Sequence, residues 1–154
     1  MKIPAMLGAA AALVTLAATP LAAHAATADS PWGPYRASGG AAVVKGTLKA
    51  VGEDHEVMPT ADTVTIKGVL ADRTKSDKKC GWVLMEFAIK VGKNYEFKQR
   101  QVRNCSYDKP KKFTFVYHDV YQVGLKVCAE PKASAPSASC RYGGSWKIIY
   151  KSPI

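Results

Sequence analysis

Histidine is scarce in this chain: three in 154 residues, one of them inside an apolar leader. That leaves His55 and His118 for any imidazole chemistry. His55 sits in Glu53-Asp54-His55-Glu56, which has the residue types of a metal site. Neighbours in an extended chain point apart, however, and no second ligand cluster accompanies them. His118 precedes Asp119, but no Gly-x-Ser-x-Gly nucleophile turn is present to make a triad of them. Glu86 alternates into a strand and reads as a surface carboxylate. The chain also lacks Cys-x-x-Cys, and its cysteine spacings fit no zinc template. Acidic residues are few, 12 against 22 Lys and Arg, for a formal charge of +10. Such a balance favours solubility and anionic partners. An exported chain with no nucleic-acid motif is not expected to bind DNA or RNA. No catalytic residue, cofactor or metal is assigned, and the chain reads as a binder rather than an enzyme.

Only one long apolar run exists, and it opens the chain. Lys2 supplies a positive start, Met6 to about Leu21 are apolar, and Pro20 breaks any helix near the end of the run. Ala23-His24-Ala25 then offers the small-x-small pattern of a signal-peptidase site. Residues 1–25 are therefore expected to be a signal peptide rather than a membrane anchor, being short of a comfortable span. With no later run of that kind, no transmembrane segment is expected, and the mature chain is placed outside the cell. Removing Lys2 lowers the formal charge by one.

Four cysteines in an exported domain read as disulfides: Cys80, Cys105, Cys128 and Cys140. Three pairings are possible. Cys80–Cys105 and Cys128–Cys140 are favoured, because each staples neighbouring β elements over a short loop.

The rest of the chain alternates in twos. Val44, Leu48 and Ala50 oppose Lys45, Thr47 and Lys49. Val64, Ile66 and Leu70 alternate with Thr63, Thr65 and Lys67. Residues 81–91, 95–101, 112–117, 122–127 and 146–151 behave alike, and Gly, Asn, Asp and Pro clusters separate them. Strand 81–91 is apolar on both faces, which predicts a place inside a sheet. No window has a helical period. Seven short strands predict an all-β, immunoglobulin-like sandwich over residues 42–154, with a small closed barrel as the alternative. Residues 26–41, with Pro31, Gly33, Pro34, Gly39 and Gly40, lack any period and predict a flexible N-terminal arm.

Three features offer contact surface. The arm carries Trp32 and Tyr35 as large anchors, followed by Ala41, Ala42, Val43 and Val44, which suit strand addition or a narrow cleft. The Pro-rich stretch 129–139, closed by Cys128 and Cys140, has the make-up of a protease-inhibitor loop, the alternative function for this chain. Lys98, Arg100, Arg103, Lys109, Lys111 and Lys112 form a basic set suited to an acidic partner or a cell-envelope polymer.

Gly68-Val69-Leu70-Ala71-Asp72, Asp77-Lys78-Lys79-Cys80-Gly81-Trp82-Val83, Asn104-Cys105, Phe113-Thr114-Phe115 and Val127-Cys128 resemble small exported actinobacterial β proteins. Within that set the layout is similar to the adaptor subunit of umbrella toxin particles, which serve antibacterial competition. The resemblance implies a disulfide-bonded β domain that joins a toxin-bearing stalk protein to a lectin subunit. It also implies an N-terminal segment that docks into a cleft of the lectin partner. Here that segment is Tyr35, Arg36, Ala37, Ser38, Gly39, Gly40, Ala41, Ala42, Val43 and Val44, with Trp32 just upstream.

Overall fold

A computed structural model of the chain describes residues 29–153. The expected signal peptide, 1–25, lies outside the described residues. The seven strands are β1 (Ser30–Arg36), β2 (Ala42–Glu53), β3 (Ala61–Asp72), β4 (Lys79–Val91), β5 (Asn94–Asn104), β6 (Lys111–Pro131) and β7 (Lys147–Lys151). All pair antiparallel, in the order β1-β2-β3-β6-β4-β5, with β7 beside β6. The all-β fold expected from the alternation is the fold that forms.

β6 explains how one hydrogen-bonded sheet makes two layers. The runs 112–117 and 122–127, expected as separate strands, are one strand of 21 residues. Its first half pairs with β3 and its second half with β4, and Val120 pairs with both. At the junction Asp119 takes φ 54, and Tyr121 is an extra residue opposite the Ala88/Ile89 step. A bulge of this kind bends a strand and adds twist. The halves of the sheet therefore face each other across one core, which includes Val44, Ile66, Leu70, Met85, Phe87 and Leu125. Phe87 of β4 stacks on Tyr117 of β6 with ring centroids 4.1 Å apart.

Residues 26–41 were expected to be a flexible arm, and the structure corrects this from Ser30 onward. β1 pairs with β2 from Ser30↔Leu48 to Arg36↔Val43, so the β domain begins upstream of residue 42. Pro31 and Pro34 are compatible with this because β1 is an edge strand, where a missing N–H need leave no ladder partner unsatisfied. Trp32 is buried at 7% exposure, and its apolar surface holds the strand in place.

β4 is buried on both faces and lies between β6 and β5, as its sequence predicts. Its inner face meets the main core. Its outer face is covered by the segment after β6, which contains a short helix, α1 (Ala138–Tyr142). Trp82 and Leu84 there form a second small core with Cys80, Cys140 and Trp146. The disulfides are Cys80–Cys105 and Cys128–Cys140, the favoured pairing. Each contributes about 3 kcal/mol in the chain-entropy account. Bonds of this kind belong to an oxidising compartment. Among the described residues no helix is long and apolar enough to cross a membrane.

Candidate functional site

Two segments far apart in sequence meet on one groove. Its floor is β6 from Leu125 to Glu130. One wall is the end of β1 and the turn after it, with Tyr35, Arg36, Ser38 and Ala41. The other is α1 and the residues after it, with Ser139, Cys140 and Gly143. Two adjoining cavities of about 400 and 370 Å³ make up the groove, and Val127, Cys128, Ser139 and Cys140 line both.

Local hydrogen bonds fix both walls. On the first, Ala37 N–H donates to Ala42 O and Gly40 N–H to Ala37 O, each at 2.9 Å, closing a 3-10 turn at Ser38–Gly40. Gly39 and Gly40 take φ 64 and 71, and their α-carbons face open space, so the turn is exposed. Positive φ at two successive positions is where glycine replaces any β-carbon. On the second wall, the Cys128–Cys140 bond ties α1 to β6, and Ser137 caps the helix by accepting from Cys140 N–H at 3.2 Å. Lys126, only 7% exposed, points its ammonium at the far end of that helix. It donates to Arg141 O at 3.1 Å and Gly143 O at 2.8 Å, and lies 4.8 Å from the centre of the Trp146 ring. A cation at helix C-terminal carbonyls and over an indole face is favourable on both counts.

The proposed anchors of the arm divide in two. Trp32, Ala42 and Val44 belong to the main core and Val43 is buried, so none of them is presented to a partner. The reason is strand pairing: with β1 on β2, Trp32 of β1 and Ala42 and Val44 of β2 face the core. Tyr35, Gly40 and Ala41 are half-buried, while Arg36, Ser38 and Gly39 are exposed.

The stretch 129–139 is not a protruding loop. It starts inside β6, and Pro136 is buried. Lys132 N–H donates to Lys78 O at 2.7 Å, Ser137 N–H to Glu130 Oε2 at 2.9 Å, and Arg103 holds Ala133 O. These contacts tie it to the β3–β4 connection, to β6 and to β5, while residues 131–134 and 137–139 stay exposed.

The basic set is spread out and largely engaged. Lys98 pairs with Glu96 at 2.7 Å. Arg100 lies over Tyr117 and Arg103 over Trp82, each at 5.6 Å, and Lys111 donates to Arg103 O at 3.1 Å. His118 Nδ1 is 3.1 Å from both Thr63 Oγ1 and Asp62 O, on an exposed part of the first layer. His55 is exposed in the β2–β3 connection. Among the described residues, no group of three or more His, Cys, Asp or Glu gathers as a metal site.

No protein-family model, curated protein or solved structure matches this chain.

The groove floor escaped the sequence reading because strand edges leave no mark on composition. One signal was available: the last run, 146–151, is too short to cover the whole second half of β6.

Proposed function

We propose that this chain is an exported, non-catalytic protein-binding module, an adaptor whose contact surface is the groove between the Ser38–Gly40 turn and α1. One observation carries the reading. The two segments of partner-binding composition, around Tyr35–Ala41 and around Ser139, form opposite walls of the same cavity. A pre-formed concave surface with fixed walls lowers the ordering cost of binding. The resemblance to toxin-particle adaptors makes lectin-like and toxin-bearing exported subunits the first partners to test. In this reading the exposed turn, and not a free arm, enters the partner.

The test is capture of these subunits by the purified mature protein. Ser139→Trp places an indole in the groove from an exposed position and is expected to abolish capture without lowering the melting temperature. Phe97→Ala, on β5, is expected to capture normally. Undiminished capture by Ser139→Trp ends the reading.

A further inference from the structure

Each edge of β6 is unmatched over part of its length: the β4-side edge over 111–119, and the opposite edge beyond Leu125. Its β4 edge is matched along the second half of the strand. Its other edge is matched by β3 up to Val120 and by β7 from Gln122 to Leu125. Over 126–131 that edge has no strand partner among the described residues. The groove runs along this gap. We propose that the edge takes up an extended, acidic segment of a partner protein as an added β-strand, in line with β7. The proposal rests on the reading above that the groove binds protein.

Three observations favour a strand as the occupant. First, an open edge presents a row of backbone donors and acceptors that only another backbone matches in full. Second, the strands at the three borders of the sheet are blunted in the ways that discourage pairing. β1 carries Pro31 and Pro34, β5 carries Glu96, Lys98 and Arg100, and β7 is five residues long with a lysine at each end. The 126–131 edge has instead the half-buried Val127, Cys128 and Ala129, with Pro131 only at its end. It is recessed between two walls, which limits access to a narrow, extended chain.

Third, the charges around the groove are one-sided. Arg36 and Lys147 line the first cavity and Lys79 the second; all three are exposed and have no carboxylate partner among the described residues. The acid lining the groove, Glu130, is engaged by the backbone N–H and hydroxyl of Ser137. An incoming strand with carboxylates meets these cations and no free anion.

The test uses ¹⁵N-labelled mature protein and blocked synthetic peptides of about seven residues, long enough to span the gap at about 3.3 Å per residue. One alternates Glu with Val, a second alternates Lys with Val, and a third is the acidic peptide with Pro at alternate positions. The acidic peptide is expected to slow amide exchange at outward-facing positions within 127–130. The Lys peptide is expected to bind about tenfold or more weakly, and the Pro peptide, lacking donors, not at all. The double variant Arg36→Glu/Lys147→Glu is expected to reverse the preference between acidic and basic peptides.

No peptide-dependent protection at 127–130, protection along β1 or β5 instead, or a preference unchanged by charge reversal each overturns the proposal. Protection there that rises with protein concentration alone assigns the edge to a second copy. Protection lost on removing residues 26–28 assigns it to this chain; both results overturn the proposal. Partner capture blocked by Ser139→Trp, with no peptide effect on β6, sinks strand addition while leaving the groove reading standing.

Discussion

The indole of Trp32 occupies the place where a side chain at Gly46 would begin. The two residues are register partners in β1 and β2, and a β-carbon on Gly46 would lie 2.6 Å from Trp32 Cζ2. Glycine here serves close approach: it lets a large ring lie flat over the neighbouring strand. The same β-carbon would lie 2.0 Å from Lys67 O of β3. Trp32→Ala is expected to cost about 3–5 kcal/mol, the usual range for a buried Trp. Gly46→Val is expected to cost at least as much by expelling the ring. Urea unfolding of both variants checks this. Removing residues 26–36 should destabilise the whole domain. A truncated protein that melts like the intact one would show that β1 is dispensable.

That pair also shows what the sequence concealed. Alternation over β2 and β3 was readable because polar and apolar residues take turns on strands with one wet face, whereas β4 stood out by being apolar on both. β1 was not readable, since Pro31, Gly33 and Pro34 interrupt its period and only its edge position makes them tolerable. β6 was read as two strands because the bend near Asp119 and Tyr121 shifts the inward phase from Tyr117 to Val120 and then to Val123. The disulfide pairing followed from short sequence separations, although Cys140 lies in α1 and not in a strand. The groove did not, since it arises where a 21-residue strand outruns its five-residue neighbour β7, a mismatch visible only once the register is known.

The buried Lys126 leads to a second prediction. Its ammonium binds Arg141 O and Gly143 O beneath the Trp146 ring, joining β6 to the wall of the groove. Lys126→Met keeps most of the apolar stem and removes every donor. It leaves those two carbonyls without their lysine partner, at a cost of about 1–3 kcal/mol. The thermal midpoint should fall, and Trp146 emission should change as the α1 segment loosens. A variant as stable as the parent, with unchanged fluorescence, would mean that the disulfide alone holds the wall.

Asp54 supplies the pH-dependent prediction. Its carboxylate closes the β2–β3 connection, accepting from Thr60 N–H at 3.0 Å, Thr60 Oγ1 at 3.2 Å and Glu56 N–H at 3.3 Å. The backbone N–H of Thr60 is the main cause holding this carboxyl below its ordinary 3.8, against an opposing effect of burial. Hydrogen bonds to the charged form have that direction. A depressed folded-state pKa means the turn's stabilisation is fully present above the ordinary carboxylate value. It is lost as pH falls through the lower, folded value. Amide exchange at Thr60, corrected for the intrinsic pH dependence, should therefore show constant protection from neutral pH down to about pH 4 and declining protection below it. Asp54→Asn should show weaker protection and no such decline. The β strands should keep their protection throughout, because the carboxylate is solvent-accessible and secures one connection only. Loss of Thr60 protection already at neutral pH, or a decline that persists in Asp54→Asn, would assign the effect to another group.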